Sequence, residues 1–157
     1  VQIIFNMLRH RPAALFFREA MANDVGVIAR VPLASGVLTG KMSATSTFAE
    51  DDHRTFNRHG ESFDVGETFS GVPFDVALAA MDEMRPLVPD GSTPAQYALQ
   101  WILSHEAVST VIPGAKNPGQ VADNAAASDL EPLDDQTLAQ IASIYDTFAR
   151  PYVHDRW

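Results

Sequence analysis

Residues 108–127 read VSTVIPGAKNPGQVADNAAA, and this stretch decides how the chain is interpreted. The apolar run 108–112 is typical of a strand, and it ends at Pro113-Gly114. Lys116 follows, and Asn117-Pro118 then opens an alanine-rich stretch typical of a helix. A strand end, a lysine and a helix N-terminus meeting at one point are suited to binding phosphate. The segment therefore predicts a site for a phosphorylated cofactor.

The composition is that of an ordinary globular protein. Of 157 residues, 46% are hydrophobic and 20% are charged, which argues against a disordered chain. The net charge of −9 and the pI near 4.8 argue against a nucleic-acid surface and against an anionic membrane surface. No apolar run approaches the ~20 residues of a membrane-spanning helix. We therefore expect neither nucleic acid nor membrane as a partner.

The cysteine count and the first residue limit the chemistry and the context. The chain has no cysteine, which excludes disulfides, thiolate catalysis and cysteine-ligated zinc within it. No signal peptide is visible, and the sequence starts at Val1 rather than at methionine, so we expect upstream sequence to be missing. A cytoplasmic location is the default expectation.

Strand and helix patterns alternate along the chain. Residues 1–5 and 25–29 are typical of strands, and 12–23 between them has the apolar spacing of a helix, so they predict a βαβ unit and a parallel sheet. Further helices are expected at 74–84, from Pro94 with Thr93 as its cap, from Pro118, and at 134–148. With the run 108–112 there are about three parallel strands. They cannot close a (β/α)₈ barrel, which rarely takes fewer than ~200 residues.

Two segments fall outside this alternation. The polar stretch 42–72 predicts a long surface loop, either a lid or a disordered excursion. The C-terminal tail 150–157 is expected to be irregular. It either lines a substrate pocket through His154, Arg156 and Trp157 or lies loose.

Three quoted segments resemble one known family. They are VQIIFN at 1–6, VPLASGVLTGK at 31–41, and residues 111–124, with TPAQ at 93–96 before the last strand. In this order and spacing, they resemble the C-terminal half of the aldo/keto reductases, (β/α)₈ TIM barrels that use NADPH. The resemblance spans nearly the whole chain. It implies that 1–157 is a single partial α/β domain, the C-terminal part of a barrel that is incomplete in this chain.

The resemblance also implies a role for matching positions. Gln2 stands where the family's glutamine binds the nicotinamide carboxamide, a task for a side chain that both donates and accepts. Leu33 and Ser35 match positions along the pyrophosphate and ribose, although Ser35 is also an ordinary turn residue. Gly36, which has no side chain, would let the cofactor approach the backbone closely.

The loop after the last strand matches the part of the family's site that holds adenosine. Residues 114–116 match the loop around the 2′-phosphate, where Lys116 supplies charge beside a helix N-terminus. Asp123 and Asn124 match adenine contacts, although Asp123 alone is typical of a solvated helix surface. The expected cofactor contacts are Gln2, Arg30, Pro32, Leu33, Ser35, Gly36, Ile112, Gly114, Ala115, Lys116, Gln120, Asp123 and Asn124.

Two of these positions depart from the family pattern. Arg30 stands where many members have a tyrosine stacked on the nicotinamide ring. A guanidinium can stack on a ring or bind phosphate, but it repels the oxidised nicotinamide, so contacts with phosphate or substrate remain alternatives. Gln120 replaces a frequent arginine, which weakens a strict preference for the 2′-phosphate. We therefore expect NADP(H) and leave NAD(H) open.

The family's proton donor is a tyrosine assisted by a lysine, an aspartate and a histidine, and the resemblance places all four upstream of Val1. Tyr97 and Tyr145 fall on apolar helix faces and are expected in the core. With its proton-transferring groups expected upstream and its tyrosines expected in the core, the chain is expected to hold no catalytic residue. His53 and His59 lack a third metal ligand, so we also expect no metal site.

Two hypotheses follow. In one, the chain is the cofactor-binding part of an NADP(H)-dependent reductase that interconverts small carbonyl compounds and alcohols, and it is inactive alone. In the other, it is a non-catalytic nucleotide-binding or regulatory half-barrel that pairs with another chain.

Overall fold

Three short strands form one parallel sheet in the order β1-β2-β3. They are β1 Gln2–Ile4, β2 Val27–Arg30 and β3 Val108–Val111. The computed structural model describes residues 1–156. Its sheet is not closed into a barrel, and among the described residues the outer edges of β1 and β3 have no partner strand. The predicted α/β fold class with about three parallel strands is confirmed.

Seven helices accompany the sheet within the described residues. They are α1 Arg18–Ala22, α2 His53–Phe56, α3 Phe74–Met84, α4 Pro94–Leu103, α5 Pro118–Ala125, α6 Asp135–Ile144 and α7 Arg150–Val153. A π-helical turn precedes α1 at Ala13–Phe17, and another joins α6 to α7 at Tyr145–Ala149. The helices predicted from the sequence are present. The prediction of an irregular tail is wrong for residues 150–153, which are helical, and Trp157 lies outside the described residues.

Side-chain caps explain where the later helices begin. Thr93 accepts from the backbone N–H of Gln96 at 3.2 Å, and the Gln96 side chain accepts from the N–H of Thr93 at 3.0 Å. Asn117 caps α5 and Asp134 caps α6 in the same manner, each through one side-chain oxygen. Each cap satisfies backbone donors that the first helical turn leaves unpaired.

One face of the sheet is covered by helices and forms the core. Ile3 and Phe5 of the β1 region and Val27 and Ala29 of β2 point into it, and Phe5 stacks on Trp101 of α4 with ring centroids 4.9 Å apart. Gln2 is exposed and Arg30 is half-buried. Burial alternates along β2, whereas Ile3 and Ile4 of β1 are both buried and Ser109 and Thr110 of β3 are both exposed.

The apolar spacing of the first helix predicts a buried side at Leu15, Phe16, Ala20 and Met21, and only Phe16 and Ala20 pack in or against the core. Leu15 and Met21 are 56% and 48% exposed, whereas Phe17 and Ala20 enter the core. The π-helical turn at Ala13–Phe17 is the physical reason, since it changes the period on which the predicted face depends.

Segment 42–72 is anchored to the rest of the fold. It contains α2 and two short 3₁₀ turns, and Phe69 and Val72 belong to the core. The buried Asn57 accepts from the backbone N–H groups of Ser62 and Phe63, both at 2.8 Å. Of the two alternatives for this segment, the disordered excursion is therefore wrong. No helix of the described part of the chain is long and apolar enough to span a bilayer.

Candidate functional site

A cavity of about 1110 Å³ opens at the C-terminal ends of β2 and β3. Its walls come from the turn that follows β2, from segment 42–72, from the first turn of α4 and from the loop that leads from β3 into α5. In parallel α/β folds the C-terminal strand ends carry the ligand site, because the loops that follow them are brought together there.

Most of the residues predicted to contact a cofactor line this cavity. They are Pro32, Leu33, Ser35, Gly36, Ile112, Gly114, Ala115, Lys116, Gln120, Asp123 and Asn124. Two segments far apart in the sequence, after β2 and after β3, are thus brought to one place. Gln2 and Arg30 do not line it.

The turn after β2 has an unusual backbone. Ala34 and Ser35 have φ of 47° and 55°, and Gly36 has φ of 99°. A Cβ atom on Gly36 would lie 2.7 Å from Cε of Met42, the flexible end of a side chain, so it is the positive φ that favours glycine here. Positive φ at two non-glycine residues is a strained arrangement of the kind that concentrates at ligand sites.

The Ser35 hydroxyl joins this turn to segment 42–72. It donates to the backbone oxygen of Glu67 at 3.1 Å, accepts from the backbone N–H of Phe69 at 3.1 Å, and lies 3.3 Å from Nε2 of His53. Ser35 therefore holds the cavity wall in place, in agreement with its reading as a turn serine.

Arg54 is a cavity residue that the sequence analysis missed. Its guanidinium makes two hydrogen bonds to the carboxylate of Asp52, at 2.9 and 2.6 Å, donates to the backbone oxygen of Ser35 at 3.3 Å, and lies 4.3 Å from the ring centroid of Phe48. These hydrogen bonds from Arg54 hold the pKa of the Asp52 carboxyl well below its usual range. No motif marks Arg54, and only the presence of a cation in a long polar loop points to it.

The loop before α5 is ordered by its own side chains. The backbone N–H of Lys116 donates to the side-chain oxygen of Gln120 at 2.6 Å, and the Asn124 side chain donates to the backbone oxygen of Gly114 at 3.3 Å. Gln120 and Asn124 thus shape the loop around Lys116. The Lys116 side chain forms no ion pair with any described residue.

Positive charge is concentrated around this cavity although the chain carries a net charge of −9. The cationic residues that line it are Lys41, Arg54, Arg85 and Lys116. The acidic ones are Glu67, which is paired with Arg30, and Asp123. The arrangement is suited to a ligand with several anionic groups along its length.

Arg30 and Gln2 are placed differently from the other predicted contacts. Arg30, at the end of β2, forms an ion pair with Glu67, and the two side chains are 34% and 30% exposed. Gln2 is exposed and pairs in register with Ile28, three positions before Val31 and therefore away from the C-terminal strand ends. Their assignment as cofactor contacts remains a prediction.

The tyrosines predicted to lie in the core are buried. Tyr97 and Tyr145 are 1% and 3% exposed. Burial raises the pKa of Tyr97 to about 12 and also raises that of Tyr145. Neither ring lines the cavity, and a raised pKa is the opposite of what a proton donor near neutral pH needs. Among the described residues no group of three histidine or acidic side chains is placed to hold a metal ion.

Comparisons with known proteins show which family this chain resembles. The model of the aldo/keto reductase family matches residues 1–146. The chain is 32% identical over 136 residues to a probable voltage-gated potassium channel subunit beta from Arabidopsis thaliana, covering 82% of this chain and 38% of that protein. It is 34% identical over 121 residues to an L-glyceraldehyde 3-phosphate reductase from Escherichia coli O157:H7, covering 76% of this chain and 33% of the reductase.

A solved structure is similar over almost the whole chain. A glycerol dehydrogenase from Gluconobacter oxydans superposes with a TM-score of 0.74 at 26% identity, covering 98% of this chain and 43% of the dehydrogenase. The chain thus spans between 33% and 43% of the length of these three proteins.

Proposed function

The chain belongs to the aldo/keto reductase family, and we propose that it forms the cofactor-binding part of an NADP(H)-dependent oxidoreductase that interconverts carbonyl compounds and alcohols. The observation that carries this proposal is the cavity at the ends of β2 and β3. It gathers residues 31–41 and 112–124 and is lined by an excess of cations.

The donor set of the cavity fits a dinucleotide phosphate. Lys116 supplies a point charge for a phosphate monoester beside the first turn of α5, where backbone N–H groups and the helix dipole favour an anion. Arg54 adds positive charge to the cavity wall, and its ion pair with Asp52 offsets part of that charge. Gly36 lets the ligand approach the backbone closely. When bound, the nicotinamide would supply or accept the hydride, and the residues named here would hold the phosphate groups of the dinucleotide.

We further propose that the groups that transfer the proton lie outside this chain. The support is that none of its three tyrosines lines the cavity and that the two in the core have raised pKa values. Purified chain should therefore bind the nucleotide and not turn it over.

A second candidate function is favoured by one comparison. The Arabidopsis relative, which matches 82% of this chain, is described as a probable potassium channel subunit beta. A non-catalytic nucleotide-binding or regulatory half-barrel that pairs with another chain would use the same cavity and the same cations. The two candidates differ in whether the complete protein turns over its nucleotide.

Titration of the chain with NADPH and with NADH, followed by the fluorescence of the reduced nicotinamide, tests the cofactor site. We expect saturable binding that is tighter for NADPH. Adding a panel of aldehydes and following NADPH absorbance then tests turnover. Absence of nucleotide binding would overturn the cofactor proposal, and steady oxidation of NADPH by the chain alone would overturn the placement of the proton donor elsewhere.

A further inference from the structure

A second cavity, of about 800 Å³, lies between segment 42–72 and residues 151–156. None of the residues predicted to contact the cofactor lines it. Its lining is partly apolar, contributed by Val65, Val72, Pro73, Phe74 and Pro151. The cavity is thus separate from the cofactor cavity in its residues and mixed in polarity.

Two arginines and a histidine line this second cavity: Arg58, His59 and Arg156. Arg58 is half-buried and fixed, since its Nε donates to the backbone oxygen of Arg54 at 3.0 Å and its guanidinium lies 5.1 Å from the ring centroid of Phe74. Arg156 forms no ion pair with any described residue. One guanidinium is therefore positioned in advance, and a second is available to a ligand.

Arg9 adds charge behind the cavity wall. Its Nη1 lies 3.7 Å from the position that a Cβ on Gly71 would occupy, and Gly71 lines the cavity. Arg9 is 6% exposed. Burial lowers its pKa, Asp64 opposes that effect, and the charges of Arg156 and Arg30 lower the pKa further. Among the charges that act on Arg9, Asp64 has a larger effect than Arg156, so the positive charge of Arg9 is already offset in part.

The acidic residues at the cavity offset this charge only in part. Asp155 is already paired with Arg11, at 3.3 Å, and its side chain is 97% exposed. Asp75 is exposed in the first turn of α3, where a carboxylate is favoured by the helix N-terminus itself. Neither acid forms an ion pair with Arg58 or Arg156.

The two cavities share one wall. Phe63 and Glu67 line the cofactor cavity, while Val65 and Gly71 of the same segment line the second one. Arg9, in the segment after β1, reaches this wall from behind, since its Nη1 donates to the backbone oxygen of Ser70 at 3.2 Å. The two cavities are therefore both bounded by segment 42–72, so a ligand in the second one would lie next to the cofactor cavity.

We propose that the cavity lined by Arg58 and Arg156 binds the oxyanion group, phosphate or carboxylate, of a charged carbonyl substrate. This inference rests on the proposed function and extends it by naming the substrate class. Planar guanidinium groups bind such oxyanions through paired charge-assisted hydrogen bonds, and the apolar lining accommodates the carbon chain.

The test is a calorimetric titration of the chain with glycerol 3-phosphate, glycerate and glycerol. We expect saturable binding of glycerol 3-phosphate, of glycerate or of both, and no heat of binding from glycerol. Comparing the affinities of the first two ligands identifies the preferred oxyanion. Arg156→Gln should weaken that binding roughly tenfold, as loss of a charge-assisted hydrogen bond does. Arg58→Lys keeps the charge and loses the planar fork, and it should weaken binding as well.

Three controls separate this site from the cofactor site. Arg18→Gln removes the same charge from an exposed position on α1 that lines neither cavity, and it should leave binding unchanged. Lys116→Gln should weaken the binding of NADPH and leave the binding of the oxyanion unchanged. Arg156→Gln should weaken the binding of the oxyanion and leave the binding of NADPH unchanged. Oxyanion binding that ignores Arg156→Gln, or that NADPH displaces, overturns the inference while the proposed function stands. Oxyanion binding without NADPH binding would count against the proposed function instead.

Discussion

The imidazole ring of His10 lies parallel to the phenol ring of Tyr145, with ring centroids 4.0 Å apart and an interplanar angle of 9°. His10 also stacks on Trp101 of α4 at 4.5 Å. Its Nε2 is buried and has no hydrogen-bond partner among the described residues. This histidine therefore links the segment after β1 to α4 and to the C-terminal helices, and it does so in its neutral form.

The stack predicts a loss of stability in acid. Burial, followed by the charge of His105, lowers the pKa of His10 from 6.5 to about 3. Between these values the unfolded chain binds a proton that the folded chain excludes, so this stability is complete above about pH 6.5 and is lost as the pH falls. From about pH 7.5 to about pH 5 we expect the free energy of unfolding to fall by roughly 2 kcal/mol, measured by urea denaturation.

A matched pair of variants assigns this pH dependence. His10→Phe retains an aromatic ring and cannot titrate, so it should flatten the slope between about pH 5 and about pH 7. Burial also lowers the pKa of His105 and that of His154, so part of the slope should remain. His59→Phe removes a histidine from an exposed position and is the matched control. An unchanged slope in His10→Phe would refute the assignment.

The local features of the fold could be predicted from the sequence because short-range chemistry determines them. Thr93-Pro94 and Asn117-Pro118 start helices through side chains within four residues, and the βαβ pattern gives a parallel sheet whatever its surroundings. The position of the loop at 114–116 beside a strand end and a helix start could be predicted for the same reason, since these parts are contiguous in the sequence.

The contacts that could not be predicted depend on the path of segment 42–72 across the rest of the fold. Arg54 enters the cofactor cavity, and Glu67 pairs with Arg30, only because this segment folds back over the turn after β2. No periodicity in a polar stretch specifies that path. The exposure of Leu15 likewise depends on a π-helical turn that apolar spacing does not reveal.

The Thr93 cap of α4 should contribute measurably to the free energy of unfolding. Thr93→Ala removes the side-chain acceptor for the N–H of Gln96 and should lower the free energy of unfolding by about 1 kcal/mol. Thr93→Ser keeps the hydroxyl and should retain most of that stability. Urea denaturation of the two variants measures the difference, and equal losses would show that the hydroxyl is not responsible.

The ion pair between Arg30 and Glu67 should contribute modestly, and in a salt-dependent way. Both side chains are about one third exposed, so solvent screens the attraction. Glu67→Gln should therefore cost roughly 0.5–1 kcal/mol at low salt and less at high salt. Glu106→Gln, at an exposed residue with no ion pair among those described, is the matched control. A cost that does not change with salt would contradict an electrostatic role.

Lys116 should determine the preference between the two nicotinamide dinucleotides. They differ by one phosphate monoester, and Lys116 lies beside the N-terminus of α5 without an ion pair to any described residue. Lys116→Gln should weaken the binding of NADPH roughly tenfold, which is the loss expected for one charge-assisted hydrogen bond. It should change the affinity for NADH by no more than about twofold. Fluorescence titration of both nucleotides measures this, with NADH as the internal control. Equal weakening of both would mean that Lys116 shapes the loop, and no change in either would remove it from the site.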